Sequence, residues 1–459
     1  MLPTRKRPPP PPLDGGIRVD DRARAAAADD FGHLVHRTPE GVLLPASEED
    51  VATAVRWAAE HGRTFAAQGG RHSVFGRGQA GNGIVADMRL LRTVQAIQDD
   101  RVVVDAGATW REVLAATLPR GLAPPGLPDY LDLSVGGTLI VGGVGSGISR
   151  FGVLSDNVLD LQVVTGSGER LVASPARNPG LFDAVRAGLG QVAVVTRATL
   201  RLVPAPRQVR RFLLAYPDLA TMLADERLLA HEHRFERVQG AVLPAPGGGG
   251  WTFRLDLVKE PPADPPDDDA LLAGLSDDRP SAESSTLPYL EYLDRLAALE
   301  RLLRSQGRWS FPHPWLTTFV GDPAVESVAT GELARLAPAD LGPLGQVVVS
   351  PILRESVGTP LLRLPPDPLG FTFNLVRFPP TDDAAEARRL VTANRAVYER
   401  VRAAGGTLYP VSAFPMSAAD WRAHFGATFG RLRDAKREHD PGHVLTPGYE
   451  VFQPPAPAG

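Results

Sequence analysis

Not one of the 459 residues is cysteine. That absence removes disulfides, thiolate metal sites, cysteine nucleophiles and any cysteinyl bond to a cofactor. Long apolar runs are missing too: no stretch of about 18 apolar residues occurs, so nothing reads as a membrane span. Excess charge of one sign is also absent. The formal net charge is −4, whereas a nucleic-acid binder needs a basic face to meet phosphates. The opening MLPTRKRPPPPPLDGG has basic residues but no apolar segment behind them, and a signal peptide needs one. It reads as a disordered proline-rich tail. The expectation is a cytoplasmic protein with neither nucleic-acid nor membrane partner, and nothing in the sequence sets an oligomeric state.

A chain this long exceeds what one hydrophobic core supports, so two domains are expected. Ser47-Glu-Glu-Asp50 reads as a capping box opening a helix with apolar residues at Val51, Val55, Ala58 and Ala59. A short strand, Thr64 to Gln68, leads into a loop through Gly83. Strands follow at Ile84 to Met88 and Val102 to Ala106. Thr109 and Glu112 form a second capping box, whose helix ends near Leu118. Leu159 to Thr165 and Arg170 to Ala173 flank Gly166-Ser-Gly168, a hairpin signal. Val192 to Leu202 is a further strand, and Pro204 and Pro206 mark a boundary. Beyond it come a helix from Pro217 to His231 and a strand from Trp251 to Val258. A Pro/Asp-rich loop, Glu260 to Pro280, precedes a long helix, Leu287 to Gln306. Strands at Val347 to Ser350 and Phe371 to Arg377 and a helix from Ala384 to Ala404 complete an α+β pattern.

Two motifs are decoys. Gly76-Arg-Gly-Gln-Ala-Gly81 matches G-x-G-x-x-G, but that motif works only between a strand and a helix, and here a strand follows. His231-Glu-His233 falls at a helix end, where its two rings point about 200° apart, and no further ligand set accompanies it. No metal site is expected.

Chemistry concentrates in two segments. In Gln68-Gly-Gly-Arg-His72-Ser73, paired glycines let main chain approach a planar ligand, and their amides can form an anion-binding nest. The plainer alternative is a tight loop with an exposed histidine. The second segment runs from Leu127 through Asp129 and Gly136-Gly137 to Gly152, with five further glycines from Gly142 onward. A carboxylate at Asp129 in so dry a place should have a raised pKa and exchange a proton with substrate. Capping the next turn is its equal alternative.

These residues resemble a known family. Gly-Gly-Arg-His72-Ser73, Asp129-Tyr-Leu-Asp-Leu-Ser-Val-Gly-Gly-Thr-Leu and Gly188-Leu-Gly-Gln-Val-Ala-Val-Val-Thr-Arg197 are similar to the vanillyl-alcohol-oxidase-type (PCMH-type) FAD domain. With Pro288-Tyr-Leu-Glu-Tyr-Leu-Asp-Arg295, His313-Pro-Trp-Leu316, Trp421-Arg-Ala-His-Phe-Gly426 and Asp440-Pro-Gly-His-Val-Leu-Thr-Pro-Gly448, they resemble the cytokinin dehydrogenases. The resemblance spans roughly residues 35 to 452. It implies an FAD-binding domain over 35–206 after a tail and lead-in over 1–34. A substrate-binding cap over 207–420, built on an antiparallel sheet flanked by helices, would follow, and 421–459 would return to the first domain.

The resemblance also implies roles. FAD would be bonded covalently through His72, with Gly69, Gly70, Arg71 and Ser73 beside it. Main-chain contacts to FAD would fall on Ser134, Val144, Val195 and Thr446. Tyr409 matches a cofactor-adjacent tyrosine after a one-residue shift. Asp129 would take the proton of a substrate amine, and Trp315 would line the substrate pocket. Departures occur at Arg77 and Tyr449, where the family has glutamines, at Ile140, where it has a flavin-contacting serine, and at Thr317, where it has an asparagine.

The implied reaction passes a hydride from the carbon beside a secondary amine, as in an N6-isoprenoid adenine, to flavin N5. Electrons would go on to oxygen or a quinone. An alcohol, sugar or secondary-metabolite tailoring oxidase of the same superfamily is the first alternative, and a non-catalytic flavin-binding protein the second.

Overall fold

The computed structural model describes residues 12–260 and 267–452. The tail expected over residues 1–11 lies outside the described residues, as do 261–266 of the Pro/Asp-rich loop and 453–459. From residue 12 onward the expected disordered lead-in is instead ordered. Strand Gly16–Arg18 pairs with Gly41–Leu44, and helix Asp21–Ala27 starts on the Asp20 carboxylate, which accepts from the Ala23 amide at 3.0 Å. Ala27, Ala28 and Phe31 are buried and anchor this segment.

The first sheet orders its strands Gly16–Arg18, Gly41–Leu44, Gly83–Asp87, Thr64–Gln68. Its central strand is buried at every position, the texture of parallel pairing covered on both faces. Helix Glu48–Glu60 packs on it. Ser47 accepts from the Asp50 amide at 3.2 Å, but Asp50 does not complete the capping box. Its carboxylate takes the amides of Asp14, Gly15 and Ala46 instead, fastening the lead-in. The Thr109–Glu112 box is complete. A second, antiparallel sheet runs Val94–Ile97, Arg101–Asp105, Ala193–Arg201, Val158–Thr165, Arg170–Ala173. Its last two strands form the expected hairpin, with Gly168 at φ 77° in the turn.

An eight-stranded antiparallel sheet makes the second layer system: Glu283–Pro288, Gln208–Tyr216, Trp251–Lys259, Arg237–Pro244, Gln346–Leu353, Leu369–Val376, Leu316–Gly321, Thr407–Leu408. One face carries helices Leu219–Glu232 and Asp322–Arg335; the other faces the first two sheets.

The long helix expected from Leu287 to Gln306 does not form. Leu287 and Pro288 end an edge strand, and two short helices follow, Tyr289–Leu293 and Ala297–Ser305. Asp294 and Arg295 occupy the break, where Asp294 pairs with Arg111 and Arg295 with Asp129. The Pro/Asp-rich segment also contains a helical turn, Asp268–Leu272, capped by Asp267.

Helices Ala418–Phe425 and Phe429–His439 bring the chain back to the first sheet. Leu445 lies parallel to Phe65, with Phe65 N–H donating to Val444 O at 2.7 Å and Thr446 N–H to Phe65 O at 2.8 Å. A buried Lys436–Asp440 pair, 2.6 Å apart, holds this return; Asp440 also accepts the amides of Val444 and Leu445. Such a pair is worth little against apolar packing but costly to break from one side.

Candidate active site

Between the large sheet and the first two lies one cavity of about 480 Å³, bordered by every site residue singled out from the sequence. That volume falls within the range of small-molecule sites.

Main chain builds one wall. Arg71 adopts φ 54°, and its guanidinium turns away to Ala26 O and Asp87. The amides of Arg71, His72, Ser73 and Val74 meet no acceptor among the described residues. Ser73 is tied down instead, donating its hydroxyl to Asp30 at 2.7 Å; the same carboxylate oxygen accepts the Gly76 amide at 2.7 Å. Burial pushes Asp30 up to about 6 despite these donors. A Cβ on Gly69 would sit 1.8 Å from Ser134 Oγ, and one on Gly145 only 2.2 Å from the Leu127 carbonyl. Ser134, Ile140, Val144 and Val195 continue the wall. Thr446, at φ 49°, closes it by donating to Gly190 O at 2.8 Å, while Gln191 holds the Thr446 carbonyl at 3.1 Å.

His72 stands in a four-ring stack. Phe31 lies between His72 and His313, 4.0 Å from each, and Tyr130 covers the other side of His72 at 4.7 Å. Trp315 meets His72 edge-on at 6.1 Å and anchors its own indole N–H on Arg377 O at 2.8 Å. Burial, then the neighbouring His313, pushes the His72 imidazole down to about 3. The ring is therefore neutral, with a nitrogen lone pair available.

Asp129 directly precedes Tyr130. Its Oδ1 accepts from Arg295 at 2.6 Å and from Ser146 at 2.9 Å. Oδ2 has no partner among the described residues, and the side chain keeps 30% exposure because the cavity opens onto it. The expected rise in its pKa is overturned. Burial is the largest single influence and pushes upward, but the Arg295 guanidinium, the Ser146 hydroxyl and the Arg237 charge together outweigh it and hold the carboxyl below the ordinary range.

The large sheet supplies the opposite wall through side chains. Thr317, Gln346, Val348, Ser350, Thr372, Asn374 and Val376 alternate inward from neighbouring strands. Ser350 Oγ, Thr372 Oγ1 and Asn374 Oδ1 are buried without partners among the described residues. Tyr409 reaches over to the first wall, where its hydroxyl accepts the Val144 amide at 3.3 Å. Sequence reasoning missed Phe31, Asp30, Ser146, Arg295 and Glu300, whose carboxylate accepts the Tyr130 hydroxyl at 2.8 Å. Only Arg295 left a signal, as the last residue of a quoted motif to which no role had been given.

The wall suits a dinucleotide-linked planar ring: donors without acceptors, positions where any side chain would intrude, and an aromatic clamp. The comparisons agree. The family model described as "FAD binding domain" matches residues 39–174. The one described as "Cytokinin dehydrogenase 1, FAD and cytokinin binding" matches 267–452. An uncharacterized oxidoreductase of the fasciation locus of Rhodococcoides fascians is 38% identical over 96% of this chain and 99% of its own length. Cytokinin dehydrogenase 7 of Oryza sativa subsp. japonica is 32% identical over 96% of this chain and 92% of its own. Cytokinin dehydrogenase 10 of the same plant is 34% identical, covering 95% and 88%. Among solved structures, 6-hydroxy-D-nicotine oxidase from Arthrobacter nicotinovorans shares the fold, with a TM-score of 0.72 at 22% identity over 96% of this chain and 98% of that one. No helix among the described residues is long and apolar enough to cross a membrane. The chain belongs to the cytokinin dehydrogenase family of FAD-dependent oxidoreductases.

Proposed function

We propose that this enzyme holds FAD covalently through His72 and oxidises the carbon beside a secondary amine of a small aromatic substrate, an N6-isoprenoid adenine or a relative. The observation that carries this reading is the free Oδ2 of Asp129, one residue from the ring stacked on His72. A flavin held here would supply the hydride acceptor and the route by which electrons pass to oxygen or a quinone. The chain's residues do the rest. Neutral His72, clamped between Phe31 and Tyr130, presents a nucleophilic nitrogen at a fixed place. Trp315 gives the substrate's ring a face to pack on, and positioning of this kind is worth up to about 7–11 kcal/mol in ideal cases. Asp129, ionised beside Arg295, takes the amine proton on Oδ2 as the C–H bond breaks. Ser134, Val144, Val195 and Thr446 offer main-chain contacts to the cofactor, with Tyr409 and Tyr449 beside them.

A second reading has one observation in its favour. The unpartnered hydroxyls of Ser350 and Thr372 suit a substrate that brings hydrogen-bonding groups of its own, such as an alcohol or sugar. Anaerobic bleaching of the yellow protein by isopentenyladenine, set against a panel of alcohols, separates the two. For the tether, acid-precipitated protein should stay yellow and His72→Ala should release its flavin into the supernatant. A colourless wild-type pellet would overturn it.

A further inference from the structure

Arg77 is the one buried cation on the cavity wall that the reaction above leaves unused. Only 5% of it is exposed, yet it pairs with no carboxylate among the described residues. Its Nη2 donates to Phe414 O at 2.9 Å, and its Nε has no partner. Three aromatic rings cage the guanidinium: Phe75 at 5.2 Å, Tyr449 at 5.3 Å and Trp421 at 5.7 Å. Nearby acids are engaged elsewhere. Glu450 is bound by Arg37 at 2.7 Å, and Asp30 by Ser73 and the Gly76 amide.

Ring faces attract a cation but do not neutralise it. A buried charge left without a counter-charge is strongly destabilising. Burial duly pushes Arg77 down, to about 10, which leaves it charged at neutral pH. Arg77 and Tyr449, both singled out in the sequence, are in contact with each other here.

We propose that Arg77 supplies the counter-charge for the anionic part of bound FAD, a charge-matching role resting on FAD occupying this cavity but not on the His72 tether or on Asp129. The anion has two sources in the same molecule, the pyrophosphate or an isoalloxazine that has accepted a hydride and carries one net negative charge. A cation beside the ring favours its reduced form, and protein charge is one of the means by which a flavin's electronics are set.

The test uses the full chain carrying His72→Ala, so that apo and FAD-loaded protein can both be prepared. Arg77→Met places a shorter, uncharged apolar side chain against the aromatic cage, and Arg77→Lys keeps the charge. In apo protein, Arg77→Met should melt at or above the parent, because an unmatched buried charge is gone. With the pyrophosphate as the anion, the gain in melting temperature on adding FAD should shrink; with the ring as the anion it holds, because the oxidised ring is neutral. With the ring as the anion, the midpoint potential falls in Arg77→Met by about 30 mV or more, a tenfold loss of preference for the reduced form in a two-electron couple, and Arg77→Lys restores it. With the pyrophosphate as the anion, the potential holds, while FAD binds at least tenfold more weakly and riboflavin, which lacks phosphates, binds unchanged. Should Arg77→Met alter neither the potential nor FAD affinity by threefold, the role is refuted. Should it lower the apo melting temperature as much as the holo one, Arg77 is a packing residue and the proposal falls.

Discussion

The two walls of the cavity are built on opposite principles. The wall from the first two sheets presents main chain: bare amides over residues 71–74, and glycines where a side chain would collide with Ser134 or Leu127. The sheet wall presents side chains from strands whose hydrogen bonding is satisfied by neighbouring strands, so each inward residue can change without disturbing the backbone. A main-chain wall fixes what it binds, because no substitution other than proline removes an amide N–H. A side-chain wall lets the substrate vary while the cofactor stays the same. Thr317 lies on this adaptable wall.

Substitutions on each wall should therefore fail differently. Gly145→Ala brings a methyl within 2.2 Å of the Leu127 carbonyl, a main-chain atom that cannot swing aside, and displaces the segment leading to Asp129. Protein purified with little or no flavin is expected, read from the absorbance ratio; full flavin occupancy would show that this wall yields more than the geometry allows. Next in size is Asp129→Asn, which should retain flavin while slowing its anaerobic reduction by about 10² or more. An unchanged rate removes Asp129 from the chemistry.

Arg295→Met should act through pH. In the wild type Asp129 is held below the ordinary carboxylate range, so it stays ionised on acidification until that low pKa is reached. Without Arg295, burial dominates and lifts the carboxyl, so the base is protonated at a higher pH. The acid limb of kcat/KM should move to higher pH, and below it activity falls about tenfold for every further pH unit of acidification. An unmoved limb would leave Arg295 a purely structural partner. The mildest change belongs to the sheet wall. Thr317→Asn should alter KM for the best substrate by about tenfold, roughly the worth of one hydrogen bond, with flavin content and melting temperature unchanged.

Most of the main-chain wall was legible in sequence, because its requirement is written as glycine next to a reactive side chain, and Gly69-Gly70 before His72 is a local pattern. The sheet wall was legible only at Trp315 and Thr317, within reach of a quoted motif. Ser350, Thr372 and Asn374 lie on ordinary alternating strands, whose inward positions become a site only through the pairing of Leu369–Val376 with Gln346–Leu353. Asp129 shows the same limit from the other side. Dryness was readable from the surrounding glycines, but the guanidinium that reverses its effect lies 166 residues away. It lies where the helix expected across Leu287 to Gln306 breaks, at Asp294 and Arg295.

The return of residues 444–449 to the edge of the Thr64–Gln68 strand orders events in time as well as space. Thr446 and Tyr449 leave the ribosome long after the His72 loop, so a nascent chain holds this chamber with one side open until synthesis has passed them. The cofactor's chamber is complete only once residue 449 has been made, so a truncation before Asp440 should give a protein that folds in part yet never turns yellow.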